Sequence, residues 1–237
     1  MTTETVHLLA GTYNAGFQNG PAPLGASFSE PIGLAYDAAS GMVYIADTGN
    51  NVIRSLNLVS GNVSTFAGSG VSGFLDGPAL QAQFSSPSGI SLDQSTGNIY
   101  IADTYNYRIR LLNVTSGDIS TIAGNGMFGF SDGPALQAEL GIAFGIAFES
   151  SNGIIFFTDQ GNNRVRIVNM ASGTVSTIAG TGTPGFLDGP ASQAEFNVPV
   201  GIAFDTSYGN VMVADSANSR IRLFNIFTNN VSTIAGN

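Results

Sequence analysis

The sequence predicts an all-β fold made of one small antiparallel sheet repeated four times, and three observations predict it. First, a single period runs through the 237 residues: the dipeptide Ala-Gly falls at 10–11, 67–68, 123–124, 179–180 and 235–236, an interval of 57 and then of 56 throughout. Second, short runs of Ile, Val, Leu, Tyr and Thr alternate inside each period with turns of Gly, Asn, Asp and Ser, the pattern of strands joined by hairpins. Third, the composition holds 31 glycines and only 10% charged residues, where ordinary chains carry about 7% Gly and about 25% charge. A helical bundle needs surfaces of Lys, Glu, Arg and Ala, which are missing here. A hydrophobic fraction of 43% with 10% aromatics excludes a disordered chain.

The second copy shows the elements in order. Its strand runs are GISLD (89–93), NIYIAD (98–103), RIRLLN (108–113) and DISTIAG (118–124). The turns between them, QSTG, TYN and VTSG, are short enough for hairpins. A longer loop leads into each inner strand and reads G-F-x-D-G-P-A-x-Q-A-x-F. Its first half is a turn, and Ala79–Phe84 is expected as one short helical turn. The loop recurs as GFLDGP (73–78), GFSDGP (129–134) and GFLDGP (185–190), with GFQNGP (16–21) in the first copy, where Asn19 replaces the aspartate. Four strands at a fixed period mark a propeller blade, whose faces are buried only by stacking on neighbouring blades. One domain is expected over 1–237, with repeats at 7–63, 64–119, 120–175 and 176–231, and with 232–237 opening a fifth.

The run A-D-x-x-N-x-x-[IV]-R, preceded by P-x-G-[IL]-A-x-D and followed by V-S-T-[IF]-A-G, resembles the NHL repeat of six-bladed-type β-propellers. The likeness extends over residues 6–236 and every copy. The third copy departs mildly, with Ala143 for the inner-strand proline, Glu149 for the aspartate after it and Thr158 for alanine. The expected fold is thus an all-β propeller of four-stranded antiparallel blades, four NHL-type repeats plus one extra N-terminal outer strand, Val6–Gly11. That strand type occurs five times (6–11, 63–68, 119–124, 175–180, 231–236) and the other three strands only four times. The count leaves two arrangements open: a closed four-bladed ring, or an arc of a larger ring or array. Propellers commonly have ~4–8 blades.

Charge and composition narrow the function. Sixteen acids against seven bases give a net charge of −9, and there is no lysine. Nucleic-acid binding needs a basic face, so neither that nor attraction to an anionic membrane surface is expected. No stretch approaches 18 apolar residues, so no membrane insertion is expected. The absence of cysteine removes disulfides and thiolate chemistry. The start MTTETVHLLAG lacks a basic end followed by an apolar core, so no signal peptide is read there. An extracellular setting suits the lysine-free, Gly-, Ser-, Thr- and Asn-rich composition, with a cytoplasmic one open.

Two rings of recurring polar residues are candidate sites. The pairs Asp47/Arg54, Asp103/Arg110, Asp159/Arg166 and Asp215/Arg222 are seven residues apart across a hairpin. They read as structural braces because they repeat equally in every copy. The loop residues Phe74, Asp76, Phe130, Asp132, Phe186 and Asp188 are candidates for a binding face, and one aspartate per loop is too few for calcium, which takes ~6–8 oxygens. Tyr105 and Tyr107 break the repeat, the matching positions being Gly49, Asn51, Gly161, Asn163, Ala217 and Ser219. His7 is the single histidine, and no catalytic residue, metal or cofactor is expected. The expected function is a non-enzymatic scaffold that binds a protein or glycan partner, or copies of itself through exposed strand edges. The alternative is an enzyme or small-ligand binder acting at the central channel, as the resemblance implies for some six-bladed relatives.

Overall fold

The computed structural model describes residues 6–237. They form four antiparallel sheets that follow one another as four blades of a β-propeller. The inner strands are Pro31–Asp37, Pro87–Leu92, Ala143–Glu149 and Pro199–Asp205. The second strands are Met42–Asp47, Ile99–Asp103, Ile154–Asp159 and Asn210–Asp215. The third are Val52–Asn57, Arg108–Asn113, Arg164–Asn169 and Arg220–Asn225, and the outer are Asn62–Ala67, Asp118–Ala123, Thr174–Ala179 and Asn230–Ala235. Each sheet runs in that order and ends on a two-residue strand, Gly20–Pro21, Gly77–Pro78, Gly133–Pro134 or Gly189–Pro190, paired to the outer strand. The blades therefore hold five strands rather than four. The added one is the Gly-Pro of the long loop, and its proline blunts the sheet edge.

The expected helical turn at 79–84 is a single hydrogen-bonded turn, in which the Ala82 amide donates to the Pro78 carbonyl at 3.0 Å. The extra outer strand expected at Val6–Gly11 is absent as a strand. Among the described residues no strand lies beside it to form a ladder. Ala10 and Gly11 lie instead on the first blade, with the Gly11 amide donating to the Pro23 carbonyl at 2.8 Å.

The core sits between blades. One cluster joins Tyr44, Ala46 and Ile53 of the first blade to Phe84, Ile90 and Ile101 of the second. Equivalent clusters join the second to the third and the third to the fourth. Each inner strand packs on the next, from first to fourth. No comparable packing joins the fourth inner strand to the first among the described residues, so the described blades form an arc with two open ends. No helix among the described residues is long and apolar enough to cross a membrane.

Candidate binding face

The loop end of each blade is organised by one buried arginine on the third strand. Arg110 donates through Nη1 to Asp103 Oδ2 (2.5 Å) and the Gln83 carbonyl, and through Nη2 to Asp76 Oδ1 (2.6 Å) and the Leu75 carbonyl. Its Nε also donates to Asp76 Oδ1, at 3.0 Å. Arg166 and Arg222 repeat this set with Asp159 and Asp132, and with Asp215 and Asp188. The hairpin explains the first pair of each set. Asp103 ends the second strand, a 3-10 turn over Thr104–Asn106 reverses the chain, and Arg110 comes back beside it. The second carboxylate arrives from the long loop. Its other oxygen accepts the amide of Thr121, Thr177 or Thr233, next to the bulge of the outer strand. The turn asparagines complete the network: Asn106 Nδ2 donates to Asp103 and to the Gly73 carbonyl of the loop.

Desolvation decides how these charges behave. Asp103 and Arg110 are fully buried, and burial pushes the Asp103 carboxyl up against the opposing pull of Arg110. A buried pair of this kind is held by its remaining hydrogen bonds as much as by Coulomb attraction. In the first blade Asn19 stands in for the loop aspartate and offers Arg54 one neutral acceptor at 2.8 Å. There Nε of Arg54 is buried without a hydrogen-bond partner.

Most of the candidate loop residues belong to this brace. Asp76, Asp132 and Asp188 all accept from the arginines. Phe74 lies between Arg108 (3.8 Å to the ring centre) and Arg110 (4.9 Å). Phe130 and Phe186 are held in the same way by Arg164 and Arg166 and by Arg220 and Arg222. Burial, then the neighbouring Arg110, lowers the Arg108 pKa from its ordinary value, and burial lowers Arg164 likewise. These phenylalanines nevertheless remain partly exposed.

Tyr105 and Tyr107 are placed differently. Tyr105 is 57% exposed. Tyr107 closes the 3-10 turn in the left-handed conformation, at φ 54°, and its ring meets Phe128 edge-on at 5.5 Å. Phe128 and its neighbour Met127 are also exposed. These two were not singled out from the sequence, yet the same signal marks them: the matching positions are Asn14, Ala15, Val71, Ser72, Thr183 and Pro184. The structure thus brings Tyr107 of the second blade against Phe128 of the loop leading into the third, and leaves Tyr105 and Met127, which also break the repeat, exposed at the same loop end. Among the described residues, no group of three or more His, Cys, Asp or Glu comes together to hold a metal ion.

Comparison with known proteins agrees with this architecture. An NHL repeat model matches residues 84–110. Over 233 residues the chain is 31% identical to the Arabidopsis thaliana protein SUPPRESSOR OF QUENCHING 1, chloroplastic, covering 94% of this chain and 22% of that one. It is 24% identical to human NHL repeat-containing protein 2 over 188 residues, 75% of this chain and 26% of that one. The chain thus spans about a quarter of the length of these curated relatives. Among solved structures, an auxiliary nutrient binding protein from Bacteroides ovatus aligns with a TM-score of 0.68 at 20% identity, over 89% of this chain and 50% of that one. A streptogramin B lyase aligns with a TM-score of 0.59 at 18% identity, over 88% and 55%. At these identities the two structures establish the shared fold.

Proposed function

Because the chain belongs to the NHL-repeat β-propeller family, we propose that it is a non-enzymatic scaffold that presents the loop end of its blades to a protein or glycan partner. The observation that carries this reading is the division of labour among the residues of that end. The charged groups that recur in every blade are bonded to one another, so they brace the loops and are not free to act on a substrate. What is exposed there and does not repeat is Tyr105, Met127 and Phe128, with Tyr107 half-buried against Phe128. Tyrosines and other aromatics held rigidly at a surface are the usual anchors of binding sites. Tyr107 adds a second argument. Asparagine tolerates its left-handed backbone better than tyrosine does, so the tyrosine is kept at a cost that a binding role would justify.

What weighs against chemistry at the central channel is the content of the inner strands, PIGLAYD, PSGISL, AFGIAFE and PVGIAFD. They carry no histidine, and their terminal acids Asp37, Asp93 and Glu149 accept hydrogen bonds from their own turns. The extracellular setting stays part of this reading on composition alone, while one relative bears a chloroplast name. The test is calorimetric titration with defined oligosaccharides and peptides. A ligand found this way is expected to bind at least about 10-fold more weakly to Tyr105→Ala/Phe128→Ala, the loss typical of removing interface anchors, with melting unchanged. Full affinity in that variant, or turnover of any panel member, overturns the reading.

A further inference from the structure

The two open ends of the arc carry the two halves of one interface. Each junction inside the chain is built on the same fit. The inner-strand glycines Gly33, Gly89 and Gly145 leave a hollow into which the next blade presses a carbonyl and an isoleucine. A Cβ on Gly33 would meet the Ser88 carbonyl and stand 3.1 Å from Ile90 Cγ2. On Gly89 it would meet the Phe144 carbonyl and stand 3.1 Å from Ile146, and on Gly145 the Val200 carbonyl and 3.2 Å from Ile202. Side chains around the fit recur too. Thr48 and Thr104 donate to the Pro87 and Ala143 carbonyls of the following blade. Tyr100 packs on Phe148 and Phe156 on Phe204.

At the fourth blade the hollow is open: a Cβ on Gly201 would meet only Ala214 of its own sheet, at 3.5 Å. Ile221 is 40% exposed, although its counterparts Ile53, Ile109 and Val165 are fully buried. Ser216, the hydroxyl at the Thr48 and Thr104 position, is exposed. At the first blade the matching projections stand free. Leu34 is 66% exposed where Ile90 and Ile146 are 6%, and Tyr36 is 52% exposed at the position of Phe148 and Phe204.

We infer that the fourth blade of one copy docks on the first blade of a second copy, head to tail, in the register of the internal junctions. Leu34 and the Ile32 carbonyl of the second copy then fill the Gly201 hollow. Met212, at the Tyr100 and Phe156 position, meets Tyr36, a sulfur–aromatic contact. Ser216 reaches the Pro31 carbonyl. Ala10 and Gly11 now occupy the first blade as the Ala67–Gly68 and Ala123–Gly124 pairs occupy the blades after them. On docking, Ala235 and Gly236 of the incoming blade replace them. The pairing runs through sheet faces, and the occupant is a second copy because every such face that is covered among the described residues is covered by another blade of this kind. Such contacts either close into a ring or run on as a fibre. This inference goes beyond the scaffold reading and does not use Tyr105, Tyr107, Met127 or Phe128, so either can fail alone.

Light scattering from about 1 μM to about 1 mM, the range of ordinary weak affinities, tests it. The wild-type mass is expected to rise from 24.4 kDa to twice that or more. Gly201→Ala, which meets only ordinary contact inside its own chain, is expected to remain monomeric with unchanged melting, and so is Leu34→Asp. Mixed one to one, the two variants each retain one sound end, and are expected to form a dimer that grows no further. A wild-type chain that stays at monomer mass throughout overturns the inference. So does association of either single variant as strong as the wild type, or a mixture that fails to pair.

Discussion

Arg54 is the arginine of the four whose brace is incomplete, and its surroundings turn into direct expectations. Replacing Asn19 with aspartate supplies the oxygens that Asp76, Asp132 and Asp188 supply elsewhere, and gives the buried Nε of Arg54 a partner. A satisfied buried donor is worth about 1–3 kcal/mol. Asn19→Asp is therefore expected to raise the melting temperature by about 2–4 °C per kcal/mol gained. In the opposite direction, Arg166→Met leaves Asp159 buried without its cation, which should cost about 3–5 kcal/mol in urea unfolding. Protonation acts at the inner-strand turns. Burial works against the Asp93 carboxylate, but the Thr96 and Ser95 hydroxyls and the Ser95 amide outweigh it and lower its pKa. A carboxyl lowered in the fold gives stability that is complete above its unfolded pKa of about 3.9 and is lost as pH falls through the lower folded value. Asp93→Asn is thus expected to flatten the fall of melting temperature in that acid range, and an unaltered slope would refute the assignment.

Each blade depends on a tight turn at its loop end. The 3-10 turn after the second strand ends on a left-handed residue in all four copies, Asn51, Tyr107, Asn163 and Ser219. Asn51 and Asn163 also accept an amide of the next blade, Ser86 at 2.9 Å and Val198 at 3.0 Å. Tyr107 has no amide oxygen for such a bond and bears the backbone cost of a bulky residue in that region. Tyr107→Asn is expected to stabilise the chain by about 1 kcal/mol, read from the urea midpoint, while weakening any ligand that uses Tyr107 and Phe128. A substitution that lowers stability would show that the Tyr107–Phe128 contact outweighs the backbone term.

Across the whole molecule, stability is a chain of junctions rather than a single shared core, since each cluster joins only neighbouring blades. The second and third blades are covered on both faces and the first and fourth on one. Nearest-neighbour stacking of this kind predicts fraying from the ends. Amide hydrogen exchange is expected to be slowest in 99–123 and 143–168 and fastest in the first and fourth blades. Uniform protection in all four would indicate that the ends are covered, and at high concentration this is also the signature of head-to-tail pairing.

The repeat period, the strand runs and the Asp–Arg spacing determined the all-β propeller, because each depends only on side-chain alternation and on a hairpin that brings residues seven apart side by side. The breaks in the repeat at Tyr105 and Tyr107 were visible in the same way, and those at Met127 and Phe128 carried the same signal unread. Which loop oxygens satisfy each arginine was decided in three dimensions, since Asp76 reaches Arg110 across 34 residues of chain by a path that no local pattern encodes. Tertiary structure also decided that Val6–Gly11 forms no strand and that Gly201 faces open space while Gly33, Gly89 and Gly145 do not. The four glycines sit in nearly identical sequence, so their difference arises only from whether another sheet lies against them.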